Sequence, residues 1–109
     1  MRPFIAEDVV WHVGGSHPLS GDYRGRDAVF DYYAKVRDLT AGTLTLEPVD
    51  ILVNDEHAGI FMRVTGERDG KSLDVLLAEA LTFDENGRWA EYWALADEQE
   101  KVDAFWEDA

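Results

Sequence analysis

Between Arg26 and Leu39 the apolar residues Ala28, Val29, Tyr32, Tyr33, Val36 and Leu39 recur at three- and four-residue spacing. That is one stripe of an α-helix. Asp31, Lys35 and Asp38 fall off the stripe. The pattern predicts a helix over Arg26–Leu39, ended by Thr40-Ala41-Gly42 with Gly42 as a C-terminal breaker. Beyond Gly42 the period changes to two, which predicts strands over Thr43–Val53, His57–Glu67, Lys71–Phe83 and Arg88–Leu95. The joints are Asn54-Asp55-Glu56, Asp69-Gly70 and Asp84-Glu85-Asn86-Gly87. Asp-Gly and Asn-Gly between strand patterns are strong hairpin signals. Three hairpins in series make an antiparallel meander of four strands. Pro48 places the first of them at an edge or on a bulge.

Upstream, Asp8–Val13 alternates as a strand, with Val10 and His12 on one face and Val9, Trp11 and Val13 on the other. Pro3–Glu7 reads as the tail of a helix, and Gly14–Gly25 as loop. Asp97–Trp106 is expected to form a short terminal helix anchored by Val102, Phe105 and Trp106. No repeat, linker or low-complexity segment interrupts residues 1–109, so one domain is expected. The Lys71–Phe83 strand is apolar on both faces: Leu73, Val75, Leu77, Leu81 and Phe83 on one, Leu76, Ala78 and Ala80 on the other. One helix covers one face of a sheet, so the other needs a cover of its own. A homodimer is the simplest.

Composition narrows the function classes. Hydrophobic content of 46% and aromatic content of 12% exclude a disordered chain. With no cysteine, disulfides, thiolate metal sites and cysteine nucleophiles are excluded. No apolar run approaches the roughly 18 residues of a membrane helix. The opening Met-Arg-Pro-Phe-Ile-Ala is too short for a signal peptide, so a cytoplasmic protein is expected. Ten Lys and Arg stand against 23 Asp and Glu, for a formal net charge of −13. Nucleic acid and anionic membrane are therefore not expected as partners. The acidity reads as solubility.

Candidate chemistry lies in two strands. His12 sits near the end of a strand that runs into a loop stiffened by Gly14, Gly15, Pro18, Gly21 and Gly25. Glu79 is the only charged residue between Leu77 and Leu81 on its strand face. A carboxylate there must find a partner or stay protonated. That partner is His12, or Arg63 or Arg88 on a neighbouring strand. His12 has its own second reading as a hydrogen-bonded core histidine. His17 lies in the loop, exposed or at a pocket rim. His12 and His17 have no third ligand at fixed spacing, so no metal and no cofactor are expected. Phe30, Tyr32, Tyr33 and Trp93 are candidates for an aromatic pocket wall or for the core. Asp97 closes the last strand, where it would cap the final helix.

The segments "DVVWHVGGSHPLSGDYRGRDAVFDYY", "ERDGKSLDVLLAEALTFDENGRWAEYW" and "ADEQEKVDAFW" resemble a SnoaL-like member of the NTF2-like superfamily. The resemblance implies an α+β fold: a cone-shaped, curved antiparallel sheet packed on helix, the cystatin-like α+β roll. It also implies a pocket at the open end and a homodimer through the sheet's outer face. Superfamily members usually begin with a long helix, for which this chain has no counterpart. Ketosteroid isomerases in the group carry a run similar to Gly15-Ser16-His17-Pro18-Leu19-Ser20-Gly21. That alignment puts His12 at their general-base position and Glu79 at their buried, protonated aspartate. Their first-helix tyrosine is missing here. By likeness to the polyketide cyclases, Asp97 or Glu91 is an acid/base candidate. The limonene epoxide hydrolase pattern is disfavoured, because Arg63 is followed two residues on by Thr65.

The resemblance thus implies a cone that binds a small apolar molecule. Isomerase or cyclase chemistry on a carbonyl compound would run through His12 and Glu79, with Tyr32, Tyr33, Arg63, Trp93, Asp97 and His17 as substrate-binding residues. The alternative is a non-catalytic ligand-binding or dimeric interaction module.

Overall fold

The amphipathic stripe folds as its spacing requires. Helix α1 spans Arg26–Leu39 and buries Val29 and Val36. The computed structural model describes residues 4–109. Its strands are β1 (Ile5–Val13), β2 (Gly21–Arg24), β3 (Thr45–Val53), β4 (His57–Arg68), β5 (Lys71–Phe83) and β6 (Trp89–Ala96), followed by helix α2 (Gln99–Phe105). They form one sheet in the order β2-β1-β6-β5-β4-β3. The four-strand meander is present as expected. The sheet is mixed rather than wholly antiparallel, because β1 runs parallel to β6. This α+β arrangement, a sheet with both helices on one face, matches the expected class.

Turn chemistry sets the meander. Asp69 and Gly70 both take positive φ, 49° and 78°, the backbone of a tight hairpin that follows the twist of its strands. Asn54 Oδ1 accepts from the backbone N–H of Glu56 and His57. Asp84 Oδ1 accepts in the same way from Asn86 and Arg88. Pro48 sits in the edge strand β3, at a register shift against β4.

Three boundaries differ from the sequence pattern. Ile5–Glu7 is strand, not the tail of a helix, while Pro3 lies outside the described residues. A register shift between Ile5 and Val10 breaks the alternation, so the period of two becomes visible only from Asp8. Within the expected Gly14–Gly25 loop, β2 pairs antiparallel with β1, Tyr23 opposite Trp11. Four residues of mixed polarity carry too little pattern to reveal an edge strand. The final helix is shorter than Asp97–Trp106, and Glu98 occupies its N-cap with no side-chain bond. Asp97 instead extends the pairing with β5: its N–H donates to Leu76 O, and its Oδ1 accepts from Leu76 N.

Both helices cover the same face of the sheet. One core cluster contains Ile5, Val9, Trp11, Val29, Leu81 and Tyr92. The other joins Leu19, Val36, Val64, Val75, Phe105 and Trp106. Arg68 is 7% exposed and donates Nη1 to Phe105 O at 2.9 Å and Glu107 O at 3.1 Å. Lys71 Nζ donates to Ala104 O at 3.0 Å. These cations satisfy carbonyls at the C-terminal end of α2, which holds the helix over the sheet.

The close approach of Leu44 to β4 requires glycine at position 66. A Cβ there would come within 2.9 Å of the Leu44 Cδ1 and 3.3 Å of its Cα. Gly66→Ala is expected to cost about 1–3 kcal/mol in urea unfolding. On the same strand a Cβ at Gly59 meets nothing within 4 Å, so Gly59→Ala should stay within about 0.5 kcal/mol of wild type. Equal costs at the two sites would contradict the packing described.

Candidate functional site

A cavity of about 110 Å³ lies between the two core clusters, several times the roughly 15 Å³ one water needs. β1 contributes Trp11, α1 contributes Tyr32 and Tyr33, β5 contributes Glu79 and β6 contributes Tyr92. Valine and leucine side chains and Trp106 make up much of the remainder. Among the described residues no Lys or Arg lines it.

Register places Glu79 inside. Its neighbours across the ladders are Ile60 on β4 and Ala94 on β6. Residues paired this way share a face. The Tyr92 hydroxyl donates to Glu79 Oε2. Burial pushes the Glu79 carboxyl above its ordinary pKa, and the Tyr92 bond pulls part of the way back. Glu79 therefore partners Tyr92, not Arg63 or Arg88. Burial also raises Tyr32, Tyr33 and Tyr92, and the Glu79 charge adds to each. All three phenols stay neutral donors at ordinary pH. Trp11 stacks on Tyr92 at 4.0 Å between centroids and 9° between planes, and its Nε1 donates to the Tyr33 oxygen at 3.1 Å.

His17 lies on the cavity wall. Its Nδ1 accepts from Leu19 N–H at 3.2 Å. Burial, the largest influence, lowers its pKa. The loop is clasped by Ser20 Oγ, which donates to Gly14 O, and by Asp103 Oδ1, which accepts from Ser16 N and Gln99 Nε2.

His12 does not meet Glu79. Trp11 pairs with Tyr92 on the cavity side, so the next residue along β1 points to the opposite face. There the His12 Nδ1 meets Asp22 Oδ1 and Nε2 meets Glu91 Oε2, each at 2.7 Å, and the ring stacks on Trp93 at 5.4 Å. His12 borders the cavity, but both ring nitrogens are engaged outside it. The expected His12–Glu79 couple is thereby corrected. Trp93 and Glu91 belong to this outer face. Arg63 is there too, paired with Asp74 at 2.6 Å. Asp97 is bound to the β5 backbone and is not on the cavity wall. Of the expected site residues, Glu79, Tyr32, Tyr33 and His17 share the cavity, and His12 borders it with its ring nitrogens engaged on the outer face.

Tyr92 was missed, although the sequence carried its signal. In Tyr92-Trp93-Ala94-Leu95-Ala96 the face bearing Tyr92 has small neighbours, Ala94 and Ala96, that leave room for a cavity. The Val9-Trp11-Val13 face of β1 was likewise the apolar one, which marks His12 as outward.

A family model described as the SnoaL-like domain matches residues 1–92. The chain belongs to the SnoaL-like domain family. Among solved structures, Bal32a from a soil-derived mobile gene cassette is 29% identical, with a TM-score of 0.93 over 97% of this chain and 81% of its own. A Xanthomonas campestris protein of unknown function with a cystatin-like fold is 27% identical, with a TM-score of 0.87 over 95% and 81%. A candidate SnoaL-like polyketide cyclase from Jannaschia sp. CCS1 is 16% identical, with a TM-score of 0.74 over 95% and 74%. No curated protein matches the chain. The SnoaL-like chain thus has the cystatin-like, NTF2-like α+β fold, a framework for small-molecule binding.

The outer cluster makes stability depend on pH. Hydrogen bonds to Glu91 first and Asp22 second raise the His12 pKa above 6.5. The folded state then holds the proton more tightly than the unfolded chain. That stabilisation is complete below pH 6.5 and is lost as pH rises through the folded value. His12→Gln is expected to melt below wild type at about pH 6 and to approach it at about pH 9, where imidazole is neutral. Parallel melting curves for the two proteins across that range would rule this out.

Proposed function

We propose that this SnoaL-like chain binds one small, largely apolar molecule in its cavity and that Glu79 moves a proton on it. The observation that supports this most is a half-buried carboxyl, bonded to Tyr92, in a cavity that no Lys or Arg lines among the described residues. Burial raises its pKa, which makes its ionised form a stronger base than an exposed carboxylate. In this reading the ionised Glu79 takes a proton from carbon next to a carbonyl. The C–H electron pair becomes the C=C bond of an enolate and the carbonyl oxygen takes the charge. Where a C=C bond lies next to the enolate, return of the Glu79 proton to the far carbon of that dienolate completes an isomerisation. Attack of the enolate carbon on a second carbonyl closes a ring, and the alkoxide so formed takes the proton back from Glu79. The cyclase name of the Jannaschia protein fits such chemistry, and its likeness to this chain bears on the fold alone.

A homodimer through the outer face is part of the same reading. Leu95, Ala78 and Phe61 align in one cross-strand row, and Trp93, Ala80, Gly59 and Leu52 in the next. Leu95 is 76% exposed and Leu52 63%. A cytoplasmic setting also belongs to it, supported by the cysteine-free composition. No helix among the described residues is long and apolar enough to cross a membrane.

Small apolar ketones should raise the melting temperature, and at least one should exchange the hydrogens next to its carbonyl for deuterium faster than in buffer. Glu79→Gln is expected to cut that exchange about 100-fold or more. If no ketone stabilises the protein, the binding reading fails. Exchange that survives Glu79→Gln removes the carboxyl from the reaction. Tyr92→Phe should raise the Glu79 titration further, followed by carboxyl NMR, because the lost bond favoured the ionised form. Leu95→Glu with Phe61→Glu should convert the dimer to monomer in analytical ultracentrifugation. A monomeric wild type would refute the interface.

A further inference from the structure

We propose that Tyr33 is the hydrogen-bond donor that recognises the ligand, and that the cavity selects neutral molecules carrying an oxygen acceptor. This rests on the binding part of the reading above and on none of its chemistry. The argument starts from where each hydroxyl proton goes. A phenol oxygen carries one proton and accepts at its lone pairs, and its O–H lies near the ring plane in one of two directions. The Tyr92 proton is spent on Glu79 Oε2. Tyr33 is in the reverse position: its oxygen accepts from Trp11 Nε1–H at 3.1 Å. Two hydrogens do not point at each other, so the Tyr33 proton is driven to the side away from Trp11. Among the described residues no hydrogen bond takes that proton. Tyr33 lines the cavity. Trp11 is itself clamped between Tyr92 and the edge of Tyr33, with ring centroids at 4.0 and 6.0 Å, so the direction is held by packing.

Charge settles the rest of the ligand's character. Among the described residues the wall holds a carboxyl and no Lys or Arg, and the chain as a whole carries −13. Two histidines border the wall: His17 accepts a backbone N–H at Nδ1 and is left uncharged, and His12 has both ring nitrogens engaged by Asp22 and Glu91 on the outer face. An anionic ligand would enter with no free counter-charge. A ketone or similar oxygen acceptor finds a ready donor.

Three probes of one shape separate these terms: acetophenone, ethylbenzene and benzoate, measured by calorimetry at a pH where benzoate is ionised. Acetophenone is expected to bind about fivefold or more tighter than ethylbenzene, the worth of one neutral hydrogen bond, and benzoate not measurably. The infrared carbonyl band of bound acetophenone should lie below its position in an apolar solvent. Tyr33→Phe should return the band to that position and bring acetophenone down to ethylbenzene's affinity, while Tyr23→Phe, whose hydroxyl donates to Leu19 O away from the cavity wall, leaves both unchanged. Should Tyr33→Phe fail to fold, 3-fluorotyrosine at position 33, a stronger donor of nearly the same shape, should lower the band further. Equal affinity for acetophenone and ethylbenzene, tight benzoate binding, or a band moved by Tyr32→Phe and not by Tyr33→Phe would overturn the assignment while leaving the cavity a binding site. Failure of all three probes to bind defeats the assignment together with the binding reading.

Discussion

A pleated sheet sends successive side chains to opposite faces, and that alternation sorts the polar groups on the strands of this protein. Trp11, Tyr92 and Glu79 turn inward because the ladder pairs Trp11 with Tyr92 and Glu79 with Ala94. His12, Glu91 and Trp93 turn outward by the same rule. A slip of one residue along β1 would exchange Trp11 for His12 in the core. The register is protected by what such a slip would cost: burial of Val9 and Trp11, which are 0% and 4% exposed.

The inner face therefore carries a carboxyl at some cost. Desolvation opposes its ionised form, and the Tyr92 hydroxyl offsets part of the penalty. Tyr92 is in turn stacked on Trp11, and Trp11 donates to Tyr33. Three strands and a helix thus meet in one connected set of aromatic and polar groups. Such a set keeps its geometry because moving one member breaks the bond or stack of the next. The same packing leaves space between the two core clusters instead of filling it.

The outer face is organised differently. His12 bridges Asp22 on β2 and Glu91 on β6, so one imidazole ties the sheet edge to its centre. Beside it run rows of apolar residues that neither helix covers. β3 is exposed along its whole length, which leaves that end of the sheet with little of its own chain against it. The strongly acidic composition and this apolar outer face are separate properties of the chain.

Sequence alone determined the local elements. Spacing of three and four set α1 to the residue, alternation with Asp-Gly and Asn-Gly turns set the meander, and Pro48 marked the edge strand. It also determined that Glu79 must find a partner or stay protonated, since an ionised carboxylate among leucines is costly. Tertiary structure alone decided which partner. Tyr92, thirteen positions away, reaches Glu79 through the β5–β6 register. His12, matched to a general-base position by counting residues, lies on the other side of the sheet. Linear spacing records distance along the chain and the parity of a strand, but which parity faces the helices depends on how strands pair. The β1–β6 contact is parallel and joins the first strand of the chain to the last strand of the meander, so no local pattern announces it. The short strand β2 and the early start of β1 were hidden for the same reason: edge pairing and a bulge are properties of two strands, and a sequence shows one at a time.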